Sequence, residues 1–236
     1  MWLEYKFQHS FSKNQQKLKR MNTDLTTYYR DRAKEYECIY QKPERQEELL
    51  QLTNLLQEFF AGKLIFEIAC GTGYWTERIA SVAKAMLATD INEAVLEVAE
   101  SKGYKKANVS FEQINLFDLK DSVLKCRNLF GGFIWSHIKL ENLDEFVNII
   151  NNFVDIGGSV VLIDNNYVEG SSSPIVKQDE HGNTYQLRTL ENGSEHLVLK
   201  NFPTEQLIRE ALDGKATDIN FVNMQYYWFL SYKPIK

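Results

Sequence analysis

The sequence predicts an α/β fold with a seven-stranded, mostly parallel sheet and helices on both faces. Three observations predict it. Short apolar runs of strand length alternate with stretches of helical period through the middle of the chain, the order that builds parallel strands joined by crossover helices. A glycine-containing turn follows the first of these runs. The 236 residues suffice for one such domain with a substantial core and hardly for two.

The elements follow in order. Tyr29, Ala33, Tyr36 and Tyr40 recur at helical spacing, as do Leu49, Leu52, Leu56 and Phe59. Both segments read as amphipathic helices, and Pro43 between them suits a helix start. Then the period changes: residues 63–69 form a short apolar run, the pattern of a buried strand. Residues 75–83 read as helix, 84–89 as the second strand, 93–101 as helix and 108–114 as the third strand. A short helix at 118–125 precedes a fourth strand at 127–132. Leu143, Phe146, Val147, Ile150 and Val154 make a helical stripe, and 159–163, introduced by Gly157-Gly158, is the fifth strand. A helix at 204–212 and strands at 216–223 and 225–233 close the domain.

Residues 165–202 break the alternation. Segments 185–190 and 196–200 flank Glu191-Asn192-Gly193-Ser194, and Asn-Gly is a strong hairpin-turn signal. A connection of this length in a compact domain is usually functional or disordered, and this one reads as a hairpin over the site. The expected organisation is a polar extension at 1–20 and a single domain at 21–236. Within the domain, 21–60 supply N-terminal helices, 61–164 the core, 165–202 the insertion and 203–236 the closing elements. The abrupt change after Arg20 makes Met21 a candidate natural start.

Composition narrows the function classes. Hydrophobic residues at 44% and charged residues at 25% are ordinary for a soluble globular protein. The formal net charge is -5, and Lys13, Lys17, Lys19 and Arg20 are the only basic cluster, so no nucleic-acid partner is expected. Cys38, Cys70 and Cys126 are odd in number and widely spaced, which suggests neither a disulfide framework nor a zinc site. Reduced thiols in the cytoplasm are the simpler reading. No apolar run approaches the ~20 residues that span a membrane, and the first 20 residues lack a signal-peptide stretch.

The informative stretch is Glu67-Ile68-Ala69-Cys70-Gly71-Thr72-Gly73-Tyr74-Trp75, between the first strand and a helix. Gly71 and Gly73 let the backbone turn sharply and approach a ligand without Cβ interference. Asp90 lies 19 residues after Gly71 at the end of the second strand, where a carboxylate can accept both ribose hydroxyls of an adenosine. A dinucleotide fingerprint needs a third small residue, and Thr76 stands there. No phosphate-binding G-x-x-x-x-G-K-[ST] occurs.

With Glu67 four residues before Gly71, the stretch resembles motif I of the class I S-adenosylmethionine-dependent methyltransferases, E/D-x-G-x-G-x-G, with Ala69 in place of the first glycine. The resemblance implies a Rossmann-like fold. Further segments are similar to those of a group of bacterial small-molecule methyltransferases. They are Gly132-Phe133-Ile134-Trp135-Ser136-His137, the run from Asp164-Asn165-Asn166-Tyr167 to Ser172, Gly182-Asn183-Thr184-Tyr185-Gln186 and Lys200-Asn201-Phe202-Pro203. With the Tyr28-Tyr29 helix they cover nearly all of the chain after about residue 25. The fourth strand departs from the pattern, with Cys126-Arg127 where the family usually has an aspartate after an aromatic.

The resemblance implies S-adenosylmethionine as cofactor, S-adenosylhomocysteine as product and a small-molecule methyl acceptor. Implied cofactor residues are Glu67, Ala69, Cys70, Gly71, Gly73, Tyr74, Asp90 and Ile91, with Asn115 and Leu116 near adenine. Asp118 is a rival to Asn115. A closing N-terminal helix would bring Tyr29 to the methionine portion, and Arg45 either pairs with its carboxylate or faces solvent.

Methyl transfer needs positioning, exclusion of water and, for a protonated nucleophile, a base. His137 follows the fourth strand at the ligand-binding edge of the sheet and is the candidate base, the alternative being a residue that caps the next helix or only shapes the pocket. Trp135 and Tyr185 either line the acceptor pocket or simply pack. His181 and His196 read as surface residues, since no ligand spacing supports a metal. Two other functions remain open at this point: a dinucleotide-dependent oxidoreductase on the same fold, and a non-catalytic cofactor-binding regulator or partner subunit.

Overall fold

The computed structural model describes residues 24–33, 35–104 and 108–236. The polar extension expected at 1–20 lies outside the described residues. Helices α1 (Leu25–Arg32) and α2 (Gln46–Phe60) precede β1 (Leu64–Ile68), α3 (Tyr74–Ala80), β2 (Ala85–Asp90), α4 (Glu93–Ser101) and β3 (Val109–Gln113). Then come β4 (Cys126–Gly132), α5 (Leu143–Phe153) and β5 (Val154–Asn165). The insertion contributes β6 (Ile175–Gln178), β7 (Thr184–Thr189) and β8 (Glu195–Leu199), before α6 (Glu205–Ala211), β9 (Ala216–Asn223) and β10 (Tyr227–Pro234).

The seven-stranded sheet has the order β3-β2-β1-β4-β5-β10-β9. Its first five strands are parallel, with Phe66 of β1 beside Leu87 of β2 and Leu129 of β4; β10 runs antiparallel to β5 and β9. Successive side chains leave a strand on opposite faces, so runs such as Val160 to Ile163 serve two cores at once. Leu129, Val160 and Leu162 pack with Phe146 and Ile150 of α5 and Ile208 of α6. Phe130, Val161 and Ile163 pack with Leu52 and Leu56 of α2 and Ile79 of α3. Each such fully buried Leu or Ile contributes roughly 1.5–3 kcal/mol over exposure. Among the described residues, no helix is long and apolar enough to cross a membrane.

The structure corrects several boundaries. The Tyr29 to Tyr40 stripe is not one helix: α1 ends at Arg32 and a 3₁₀ segment spans Tyr36–Gln41. Tyr28 packs with Leu190 and Val198 of the insertion whereas Tyr40 joins the core under α2, so the chain must turn between them. The helix expected at 118–125 is a 3₁₀ turn at Leu116–Asp121, with Asn115 accepting the Phe117 N–H at its start. The fifth strand begins at Val154, before the glycine pair, and its register against β4 shifts between Cys126 and Asn128. The expected hairpin is present as β7 and β8, with Gly193 at φ +81° in the turn, and β6 extends it to a separate three-stranded antiparallel sheet.

Candidate active site

The loop from β1 to α3 places three residues in the left-handed region: Ala69 at φ 51°, Gly71 at 56° and Gly73 at 78°. The sharp turn aims the Gly71 N–H at the Asp90 carboxylate, 3.0 Å away. The Asn92 N–H donates to the other Asp90 oxygen at 2.9 Å. Burial raises the Asp90 pKa, opposed by these amide donors. A Cβ on Gly71 would meet nothing within 4 Å, because this part of the turn opens onto a cavity. Gly73 has a packing role: a Cβ there would come within 2.5 Å of the Tyr104 hydroxyl and 3.0 Å of the Ala99 Cβ.

That cavity, of about 350 Å³, lies at the carboxyl edge of the parallel strands. Asp90, Gly71 and Ala69 form one wall, and Ile91, Asn115 and Leu116 continue it. Leu25, Thr26 and Tyr29 of α1 close it from the N-terminal side. The Asp24 carboxylate caps α1 by accepting the Thr26 N–H at 3.0 Å, and Asn92 holds the Thr26 carbonyl at 2.7 Å. Asp118 is exposed and does not line the cavity, so Asn115 is the nearer of the two rivals.

Four residues expected at the cofactor do not line this cavity. Glu67, 1% exposed, lies beneath the turn and accepts the Thr76 hydroxyl at 2.7 Å; burial pushes its carboxyl up to about 8. Cys70 packs with Ala88 and Leu96, and burial pushes its thiol up. Gly73 faces α4, and Tyr74 stacks on Tyr40 with ring centroids 3.4 Å apart.

A second cavity, of about 260 Å³, shares Tyr29, Tyr36, Phe133 and His137 with the first. Phe133 has φ 61°, and its ring stacks on Tyr227 at 5.7 Å. His137 ends a 3₁₀ turn anchored by buried Asp164, whose carboxylate accepts the Ser136 N–H at 2.8 Å and the Ser136 hydroxyl at 2.9 Å. Lys200 Nζ closes the network, 3.1 Å from Asp164 and 2.6 Å from Ser136. Burial alone would raise Asp164, but the Lys200 charge and its other partners hold it below the ordinary value.

The Nδ1 of His137 lies 2.7 Å from the Leu199 carbonyl, which can only accept, so Nδ1 carries the proton. Nε2 then accepts from the Tyr29 hydroxyl at 2.7 Å. Burial, and next the Lys200 charge, push the imidazole well below its ordinary 6.5. The ring is therefore a neutral hydrogen-bonding group, and the near-neutral pKa expected of a base is not met.

The aromatic candidates lie elsewhere. Trp135, 1% exposed, packs against Phe146 and Trp228, and Tyr185 packs with Leu197 and Leu199 while donating its hydroxyl to Asp179 at 2.9 Å. Neither lines either cavity. Arg45 is buried, not solvated, and lines the second cavity only, where its Nε donates to Ser171 at 2.9 Å. His181 is exposed as expected, but His196 is buried beside Tyr28 and Ser194. Among the described residues, no group of three His, Cys, Asp or Glu could hold a metal.

Sequence reasoning missed Gln186, Arg188 and Lys200 as cavity residues, and Phe133 and Tyr36 as the shared wall. Alternation along β7 carried the signal for two of them: Gln186 and Arg188 share a face, opposite to Tyr185.

Residues 65–158 match the family described as a methyltransferase domain. No curated protein matches the chain. Among solved structures, the chain is similar to DhpI in complex with SAH, at 22% identity and TM-score 0.73, covering 89% of this chain and 94% of that one. The DhpI–SAM–HEP complex gives 23% identity and TM-score 0.74, covering 90% and 100%. The N-methyltransferase NodS from Bradyrhizobium japonicum WM9, in complex with S-adenosyl-L-homocysteine, gives 12% and 0.56, covering 82% and 89%. At these identities the likeness is one of fold: the Rossmann-like sheet expected from the sequence is a methyltransferase-like one.

Proposed function

We propose that the methyltransferase domain carried by residues 65–158 uses S-adenosylmethionine to methylate a small-molecule acceptor. One observation carries the reading. The Asp90 carboxylate, gripped by two backbone amides, faces a largely apolar cavity that shares a wall with a second one into which five cationic side chains converge. A nucleoside needs the first arrangement, and transfer to a second molecule needs the shared wall.

The residues present fit the cofactor. Asp90 keeps lone pairs free to accept ribose hydroxyls, and Ile91, Ile114 and Leu116 offer apolar surface to an adenine. Asn115 spends its side-chain oxygen on the Phe117 N–H, which leaves its amino group to face the ligand. The open space at Gly71 admits close approach to the backbone. When bound, S-adenosylmethionine supplies a methyl group activated on a sulfonium centre and leaves as S-adenosylhomocysteine.

The chain's own work is positioning. Tyr29, Tyr36, Phe133 and His137 stand between the two cavities, where the acceptor atom must meet the methyl group in line. His137 acts through Tyr29, fixing its hydroxyl, and is a positioning residue in place of the base first expected. A cavity of about 260 Å³ supports a small acceptor over a nucleic acid. The three free cysteines, Cys38, Cys70 and Cys126, suit a reducing, cytoplasmic setting, and the segment resemblances support a bacterial small-molecule enzyme.

Calorimetry with S-adenosylmethionine and S-adenosylhomocysteine tests the reading. Wild type binds both, and Asp90→Ala weakens binding by roughly 10- to 100-fold, the worth of hydrogen bonds to a charged group. Absence of binding to well-folded wild type overturns it.

A further inference from the structure

We propose that the second cavity takes an acceptor carrying a doubly charged tetrahedral oxyanion, a phosphoryl or phosphonyl group. Naming this ligand an acceptor rests on the methyl-transfer reading; the anion site itself rests on the cavity alone. Arg32, Lys42, Arg45, Arg188 and Lys200 line it, and among the described residues no aspartate or glutamate does.

Lys200 is neutralised by Asp164 behind the wall. The other four cations make no ion pair among the described residues, only bonds to neutral groups. Arg32 donates to the Tyr28 hydroxyl at 2.7 Å and Arg188 to the Gln186 side-chain oxygen at 2.6 Å. Arg45 donates to the Ser171 hydroxyl at 2.9 Å, and Lys42 to the Ser171 carbonyl. The Nε of Arg188 is buried with no hydrogen-bond partner among the described residues, an orphan donor whose cost a bound acceptor oxygen would remove. Glu44 lies on the exposed side, bonded to Ser171, and does not line the cavity.

Four like charges gathered in a partly desolvated pocket repel one another, and the arrangement is favourable when a ligand supplies the counter-charge. The same repulsion appears at Lys42, lowered by burial and then by the Arg45 charge. A monocarboxylate would offset only one of the four charges. A tetrahedral dianion offsets two, and its three oxygens can take up the guanidinium donors together with the Ser172 hydroxyl and the Asn165 amide at the wall. The cavity is smaller than the roughly 300–1,000 Å³ that holds drug-sized ligands, so the rest of the acceptor is short. Tyr29 and His137, at the boundary with the first cavity, place the anion and the methyl source on the two sides of one wall.

Inorganic phosphate titrated into the protein saturated with S-adenosylhomocysteine, at low salt, tests the proposal. Wild type binds one phosphate and binds acetate about tenfold more weakly or worse; Arg188→Gln weakens phosphate about tenfold, the loss of a charge-assisted bond, and leaves S-adenosylhomocysteine affinity unchanged. Phosphate binding no tighter than acetate, or indifferent to Arg188→Gln, overturns the proposal. The wild-type comparison stands even where the variant folds poorly. Ethyl phosphate and ethylphosphonate then separate the two sources: displacement of phosphate by either supports the assignment, and displacement by neither overturns it. If phosphate binds and S-adenosylhomocysteine does not, the methyl-transfer reading falls while the anion site stands. If S-adenosylhomocysteine binds and phosphate does not, the anion site falls alone.

Discussion

The Tyr29 hydroxyl donates to Nε2 of His137 across 2.7 Å, and this bond joins α1 to the edge of the parallel sheet at the boundary of both cavities. Tyr29→Phe and His137→Gln therefore each lower methyl transfer by roughly tenfold, and the double variant is no worse than the more damaging single one. Burial, and next the Lys200 charge, push the imidazole down to about 3, so it is neutral across pH 5–9 and the wild-type rate shows no limb near 6.5 that His137→Gln removes. Double-mutant kinetics across pH 5–9 check both statements. A limb near 6.5 that disappears in the variant restores the base role.

Ala69 sits at φ 51°, a conformation that costs an L-residue about 1–2 kcal/mol. Glycine removes that cost, and its greater unfolded-state freedom takes back about 0.4–1 kcal/mol. Ala69→Gly should stabilise the protein by about 0.5–1 kcal/mol, a rise in melting temperature of roughly 1–4 °C. Calorimetric melting decides it, and a fall in melting temperature contradicts the strain argument.

Lys200 and Asp164 form a buried pair 3.1 Å apart, which ties the inserted sheet to the end of β5. Lys200→Met leaves the carboxylate without its charge partner and should cost about 3–5 kcal/mol. Adding Asp164→Asn recovers part of that loss, because the amide carries no charge. Urea unfolding of the four proteins in the cycle measures the coupling; additive losses would mean that the pair contributes nothing as a pair.

Glu67 gives stability a pH dependence whose sign is fixed by burial. Its folded carboxyl titrates near about 8, against an ordinary 4.5 in the unfolded chain. Folding takes up a proton between those values, so this contribution is complete below 4.5 and is lost as pH rises through about 8. Glu67→Gln lacks it. Relative to wild type the variant gains stability from pH 5 to pH 9, on the order of a few kcal/mol, in urea midpoints. A difference independent of pH would show that the carboxyl titrates normally.

The parallel sheet was legible because strands buried on both faces leave unbroken apolar runs such as Val160 to Ile163, separated by helical stripes such as that of α5. The Gly71–Asp90 relationship was legible for a similar reason: one β-α-β unit brings both to the same edge, with no help from the rest of the chain. The second cavity was not. Its cations come from α1, the segment around Pro43, β7 and the residue after β8, and only tertiary packing gathers them. Trp135 and Tyr185 misled because an aromatic suits a core as well as a pocket. Glu67 stands at the expected motif position but beneath the turn, a direction that spacing along a chain does not encode.

Helix α1 is a wall of the first cavity through Leu25 and Thr26, of the second through Tyr28 and Arg32, and of both through Tyr29. Whatever free energy is spent in settling this helix is therefore common to the two ligands. Where the first ligand to bind meets that cost, the second inherits the ordered wall, which is the condition for cooperative affinities. Thermodynamic linkage then requires reciprocity: the factor by which a nucleoside ligand tightens its neighbour equals the factor by which the neighbour tightens the nucleoside.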